Sequence, residues 1–246
     1  MRKCEISIII PSFHSYELDS ICIRSFEKFK PEWIIAKYIV IENSDDRSYY
    51  EKIKSLSNKV LWVNNPTKLI GSEANAEAIQ KGLDFVDTEF VFFCHCDVCV
   101  TSLKFFDDVM GMMENNYMVG TVLDNTRIKA FHISGIMMRN ETILKNIDYF
   151  PKYKDSVQYL DVGDSLTQYC RNNNLLHHCY SNTFNGAEYT KNDRYFKFNV
   201  DRCIGSDGDI IYMHLGRGIP KTRNQYKNQN RIMLPEWKEL CEEILR

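Results

Sequence analysis

Four short apolar runs constrain this chain more than any other feature. Glu5–Ile10, Lys37–Glu42, Val60–Val63 and Glu89–Cys94 are rich in β-branched and aromatic residues, so each reads as a buried strand. Between them, Leu18–Phe29, Tyr50–Leu56 and a segment opening at Gly71-Ser72 carry apolar residues on one helical face. Ser72 is placed as an N-cap, with Ala74, Ala78 and Leu83 close to one side. Strands alternating with helices in units of about 30 residues predict a doubly wound, mostly parallel α/β sheet.

Such a sheet takes ligands beyond the carboxyl ends of its strands. Three of those ends carry polar side chains: Ser12, then Glu42 with Asp45 and Asp46, then His95 with Asp97. Their coincidence at one edge points to a site. No Gly-x-Gly-x-x-Gly follows the first strand and no P-loop lysine pattern occurs, which argues against dinucleotide and P-loop chemistry.

Past Asp97 the alternation becomes irregular. Leu103–Met113, Asp164–Asn172 and Pro235–Leu245 read as helices, and Met118–Leu123, Ile128–Gly135, Leu175–Tyr180 and Asp209–His214 as strands. Residues 182–199, rich in Asn, Tyr and Phe, read as a long loop. Neither a repeat nor a linker interrupts the 246 residues, so a single domain is expected.

Composition excludes some classes. A net charge of -2 argues against a nucleic-acid binder relying on a basic field. Too few apolar residues precede Pro11 for a secretory signal, and no run approaches the roughly 18 residues of a membrane span. Nine cysteines, several inside apolar runs, suggest free thiols in a reducing cytoplasm.

The stretch Phe92–Cys99, "FFCHCDVC", admits two readings. Cys94, Cys96 and Cys99, with His177-His178-Cys179 elsewhere, have the makings of a zinc site, but structural zinc wants convergent ligands on tight turns. On a strand, Cys94 and Cys96 face one side and pack in the core, while His95 and Asp97 face the other. An aspartate at such a strand end is costly to bury unless it is paired or holds a metal. Mg2+ and Mn2+ suit that position, taking few ligands from protein and the rest from phosphate and water. The alternative is that Asp97 caps the helix beginning near Ser102.

Four fragments, "ISIIIPSF", "YIVIENSDD", "GSEANAEAIQKGL" and "FVFFCHCDV", occur in an order and spacing that resemble the family 2 glycosyltransferases and their GT-A relatives. The likeness runs from Ile6 to about Arg171, and more loosely to Gly218. It implies a GT-A fold: a Rossmann-like, mostly parallel sheet flanked by helices, with a smaller mixed sheet on the acceptor side. Residues 1–100 would form the nucleotide-binding half, 101–220 the acceptor and catalytic half, and 221–246 a basic loop and terminal helix. The implied activity is inverting transfer of a sugar from a nucleotide-sugar, UDP favoured over GDP or dTDP, to a glycan or lipid-linked glycan.

By the same resemblance Ser12 and Glu42 contact the nucleotide base, with Asp45 or Asp46 near it. Pro11, Phe13, Asn43, Gly71, Asn75, His95 and Arg217 complete the donor-binding set. Asp97 and His214 are the implied ligands of Mn2+ or Mg2+, His214 being open to a purely structural reading as well. His95 departs from the family, standing where the first carboxylate of an Asp-x-Asp motif is usual. The segment "YLDVGDSLTQYCRNNNLL" implies Asp164 as catalytic base, with Asp161 the alternative. The basic run "KTRNQYKNQNR" is a solvated loop, a cover for bound nucleotide, or a peripheral contact with anionic lipid at the inner face of the membrane. Two other functions stay open: a degenerate GT-A-like module that binds nucleotide or glycan, and a sugar nucleotidyltransferase.

Overall fold

The first strand, β1 (Cys4–Ser12), runs through its proline instead of stopping there. In the computed structural model, which describes residues 3–124, 127–183, 200–216 and 234–246, Pro11 sits opposite Ile41 of β2 (Ile34–Glu42). The other neighbour of β1 is β4 (Phe90–Cys94), whose ladder extends only from Ile6 to Ile9. Pro11 therefore lies beyond the paired stretch on that side, where a missing N–H costs no ladder bond.

β1 pairs in parallel with β2 and β4, and β2 with β3 (Val60–Asn64). Helices α1 (Tyr16–Phe29), α2 (Tyr50–Lys54) and α3 (Gly71–Leu83) connect these strands. The sheet continues past β4 through β9 (Gly135–Arg139) and β6 (Met118–Gly120) to β12 (His177–Cys179), giving the order β12-β6-β9-β4-β1-β2-β3. Only β9 runs antiparallel to its neighbours. A second, antiparallel sheet has the order β13 (Ser181–Asn182), β14 (Asp201–Ile204), β15 (Ile210–His214) and β5 (Val98–Val100). Two small hairpins, β7 (Leu123–Asp124) with β8 (Ala130–Phe131) and β10 (Lys152–Lys154) with β11 (Val157–Leu160), complete the strands described. Among the described residues the later α-helices are α4 (Lys104–Met113), α5 (Asp164–Asn172) and α6 (Leu234–Leu245).

Strand alternation divides the core. Ile6, Ile8 and Ile10 face a cluster built on α1, α4 and α6, while Ile9, Ile39 and Phe93 face a cluster under α3 and α5. In the first, Phe26 meets Phe92 edge-on at 5.7 Å and Phe105 at 5.9 Å, and Phe105 stacks on Tyr212 at 5.4 Å. That aromatic seam binds the two sheets together. Cys94, Cys96 and Cys99 lie in the same cluster, and all nine cysteines are free thiols. The cysteines are buried in the core as expected of "FFCHCDVC", but the strand ends at Cys94, and a turn, not strand alternation, carries His95 and Asp97.

Three local expectations differ. α3 begins at Gly71, whose φ of +58° is a conformation reserved mainly for glycine, so Ser72 lies inside the helix and caps nothing. The strand read over Ile128–Gly135 is in fact two: β8 ends at Phe131, a turn holds His132–Ser134, and β9 begins at Gly135. The run read over Met118–Leu123 likewise breaks after Gly120. Most of the loop expected over 182–199, and the basic run at 221–231, lie outside the described residues. Among the described residues, no helix is long and apolar enough to cross a membrane.

Candidate functional site

The parallel strands β1, β2 and β4 end on the same edge, and the chain beyond each end holds polar side chains. Beyond β1 and β2 opens a cleft of about 520 Å³, lined in part by Phe13, His14, Asn43, Asp45, Asp46 and Thr67. Phe13 and Asp45 are exposed on its wall. Asn43 is buried, donating to the Ala74 carbonyl at 2.9 Å and accepting from Asn65 at 2.9 Å.

Glu42 behaves differently from a ligand-facing carboxylate. It is fully buried, and both oxygens are engaged within the protein. Oε1 accepts the Ser44 N–H at 2.8 Å and the His14 N–H at 3.3 Å; Oε2 accepts the Ser12 hydroxyl at 3.1 Å and the Tyr49 hydroxyl. A base contact would have to displace one of these. Glu42 thus shapes the loops that form the cleft. Ser12 also touches Asp19 Oδ2 at 2.6 Å, although a hydroxyl has only one proton to give. Burial pushes the Asp19 carboxyl well above its ordinary value, the Ser12 bond opposes this, and the charge of Glu42 adds to it. The shift favours a proton on Asp19, the group placed to supply the missing hydrogen. Asp19 carried no signal in the sequence, because it lies on the inner face of an ordinary helix.

The second group gathers beyond β4. Ring centroids of His95, His132 and His214 are 5.0–5.5 Å apart, with one potential ligand atom from each within 4.8 Å of the others. Among the described residues this is the one cluster of histidine, cysteine and acidic side chains spaced to hold a metal ion. Buried Asp97 borders it, with Oδ1 3.9 Å from His95 Nδ1 and 3.4 Å from His214 Nε2. Topology explains the convergence. β9 is antiparallel to β4, and Gly135 pairs with Cys94, so the turn before β9 delivers His132 beside His95. β15 pairs with β5 through His214 and Val98, which sets His214 against Asp97. Burial draws His95 down to about 4 and His132 to about 3, with the charge of His214 adding to both shifts. His214 rises to about 9: burial opposes this, but Asp97 and Asp201 outweigh it.

The N-terminal turn of α3 and the loop before α5 close this edge. Asn75 Nδ2 lies 2.8 Å from His95 Nε2. Asp161 is near enough for its charge to act on His95 and His132. Burial raises its pKa, but the Ser72 hydroxyl, the Val162 N–H and Arg127 together hold it below the ordinary value. Asp164 is tied down: Oδ2 accepts the Asp161 N–H at 2.8 Å and Arg127 Nε at 3.1 Å, and burial raises its pKa against these bonds. Arg127 also meets Asp124, and Asp161 at 3.6 Å.

Most of the expected site residues therefore fall into two adjoining groups. Phe13, Asn43 and Asp45 line the cleft, and Asn75, His95, Asp97, Asp161 and His214 surround the histidine cluster. Pro11 is buried in the ladder, Gly71 is exposed at the start of α3, and Arg217 lies outside the described residues. His132 was missed. A strand over Ile128–Gly135 puts it in mid-ladder, and only the true start of β9 reveals it at the edge.

No family model matches the chain, and no curated protein matches it by sequence. Solved structures do. The galactosyltransferase LgtC, in complex with donor and acceptor sugar analogs, is similar over 96% of this chain and 95% of its own, with a TM-score of 0.57 and 12% identity. The glycosyltransferase GlyE of Streptococcus pneumoniae TIGR4 is similar over 100% of this chain and 60% of its own, at a TM-score of 0.54 and 14% identity. A more distant likeness, at a TM-score of 0.45 and 12% identity, is to the mannosyltransferase PcManGT of Pyrobaculum calidifontis in complex with GDP-Man and Mn2+, of which the match spans 45% and which covers 56% of this chain. The chain has the GT-A-type glycosyltransferase fold, a mostly parallel sheet flanked by helices with smaller sheets beside it.

Proposed function

We propose that this chain is an inverting glycosyltransferase of the family 2 kind, moving a sugar from a nucleotide-sugar to a glycan or lipid-linked glycan. One observation carries the reading: a histidine cluster spaced to hold an ion, a cleft and a partly exposed carboxylate all lie at the strand-end edge where a GT-A fold takes its donor.

In this reading the cleft walls at Phe13, Asn43 and Asp45 receive the nucleotide, with UDP the first donor to try. The residues suited to a divalent ion are Asp97 and His214, beside His95. The Asp97 carboxylate is the hard oxygen donor that Mn2+ and Mg2+ both take from protein. The ion, when bound, neutralises the charge of the departing diphosphate. The chain's own task is to take a proton from the acceptor hydroxyl as it attacks the anomeric carbon. Geometry favours Asp161 over Asp164 for that step, since the Asp161 side chain is 23% exposed and the Asp164 side chain 2%. Asp164 then serves as a positioning residue, holding Arg127 and the Asp161 backbone.

Donor hydrolysis with UDP-, GDP- and dTDP-sugars in the presence of Mn2+ tests the proposal. Turnover of one donor, lost in Asp97→Ala, is expected. Nucleotide binding without turnover would favour the degenerate binding module instead, and a product that keeps the donor's anomeric configuration would remove the base role from Asp161.

A further inference from the structure

We propose that the β10–β11 hairpin, with Ile70, forms the acceptor face of the site and binds the C–H face of a pyranoside against Tyr153 and Tyr159. The inference rests on the glycosyltransferase reading for the acceptor's role, and not for the binding itself.

The hairpin runs straight into the site: β11 ends at Leu160, and Asp161 follows. The Cα of Tyr159 therefore lies within about 7 Å of that of Asp161. Ile70 stands in the same relation to Ser72, whose hydroxyl meets the Asp161 carboxylate. Two elements far apart in sequence thus bring apolar side chains to the rim of one partly exposed carboxylate. Among the described residues nine large apolar side chains are exposed, and three of them sit on this hairpin: Tyr153 at 55%, Val157 at 67% and Tyr159 at 44%. Ile70 is 80% exposed. Single exposed apolar residues are ordinary, but three on one short hairpin beside a carboxylate mark a ligand face.

The backbone of the hairpin makes that face a preformed one. Its two-residue turn, Asp155-Ser156, has φ of +51° and +63°, the left-handed conformations that match a tight hairpin's twist, although neither residue is glycine. Tyr153 lies opposite Gln158 and Lys152 opposite Leu160, so Tyr159 is the extra residue of a β-bulge. A bulge re-aims a side chain, and bulges gather beside active sites. Charge decides between a sugar and a lipid surface. Lys152 is paired with Asp148 at 3.3 Å and Lys154 is followed by Asp155, so the hairpin offers anionic headgroups no net positive field. Tyrosine suits a sugar: its ring packs against C–H bonds while its hydroxyl stays in water beside the sugar's own hydroxyls.

The test is saturation-transfer NMR of the full chain with the methyl pyranosides of glucose, galactose, mannose and N-acetylglucosamine, with and without UDP and Mn2+. At least one glycoside should receive saturation, strongest on the C–H protons of one ring face. The double variant Tyr153→Ala/Tyr159→Ala should bind it at least about fivefold more weakly, and Tyr159→Phe, which keeps the ring, within about twofold of wild type. Phe85→Ala, an exposed aromatic just past the far end of α3, should bind as wild type does. The substituted residues are exposed, so the fold should be kept, which circular dichroism checks. Sedimentation with phosphatidylcholine and phosphatidylglycerol vesicles covers the lipid alternative. Saturation of none of the pyranosides, or equal saturation in the double variant, would overturn the proposal. So would vesicle binding that the double variant loses while its glycoside signals stay unchanged, which would make the hairpin a lipid-docking face. No arm requires turnover, so failure here is distinct from absence of donor hydrolysis.

Discussion

Two carboxylates share one hydroxyl under the cleft, and that arrangement has a consequence for stability. Asp19 is fully buried, its Oδ1 has no hydrogen-bond partner in the structure, and its pKa is raised above 3.8. The folded state therefore holds a proton on Asp19 that the unfolded chain gives up. No penalty applies below pH 3.8; above it, stability falls as pH rises, and the loss continues until the raised folded value is reached. Asp19→Asn offers Ser12 an amide N–H in place of the carboxyl hydrogen and removes the titration, so the variant should be more stable than wild type at neutral pH and the difference should vanish toward pH 3.8. Urea denaturation across pH measures this; parallel stability curves for the two proteins would refute it. At the opposite side of the edge, Asp161→Asn should cut transfer by about 10²–10⁴-fold with little change in melting temperature. Asp164→Asn should instead cost about 1.5–3 kcal/mol of stability, because it removes a charged hydrogen-bond partner of Arg127. If Asp164→Asn is as stable as wild type yet inactive, the two roles are exchanged.

At the scale of elements, the placing of His132 depends on where β9 starts, and that start depends on Gly135. A Cβ at this position would lie 1.8 Å from Thr121 Oγ1, and the Thr121 N–H donates to the Gly135 carbonyl at 2.8 Å. Gly135→Ala should therefore cost about 1–3 kcal/mol through overpacking. Thr121→Ala should recover part of that loss in the double variant, a non-additivity that chemical denaturation of the four proteins would measure. The same strand shows what the sequence could reveal. Ile6–Ile10, Tyr38–Ile41 and Phe90–Cys94 announce a parallel sheet because buried central strands are continuous apolar runs, and the rule that ligands gather at carboxyl ends then finds Ser12, His95 and Asp97. β9 runs the other way, so it offers the site its first residues and not its last. Its apolar run, Gly135–Arg139, looks the same read in either direction. His132 was hidden by direction, not by composition. Of the second sheet, β15 was legible in the run Asp209–His214, whereas β5 has three residues and β13 two, too short for any period to register. Asp19 was invisible for a third reason: its significance lies in Ser12 and Glu42, which the fold alone brings to it.

For the whole molecule, the question is what fastens the C-terminal helix to the core beneath β1 and α1. α6 packs on α1 through Trp237, Leu240, Cys241 and Ile244, flanked by Arg24–Glu242 and Lys238–Glu17 ion pairs. The Arg24 and Glu242 side chains are 37% and 44% exposed, a setting in which an ion pair contributes about 0–1 kcal/mol. Trp237 is completely buried, and truncating so large a side chain costs about 3–5 kcal/mol. Its indole N–H has no hydrogen-bond partner in the structure, so the contribution comes from packed volume and not from a polar anchor. Trp237→Phe, which keeps much of the volume and removes the orphaned donor, should therefore lose far less than Trp237→Ala, while Glu242→Ala should stay within about 1 kcal/mol of wild type. Denaturation midpoints of the three variants decide between burial and charge. A Glu242→Ala loss equal to that of Trp237→Ala would mean that α6 is held by its ion pairs, and that the aromatic seam through Phe26, Phe92 and Phe105 stands without it.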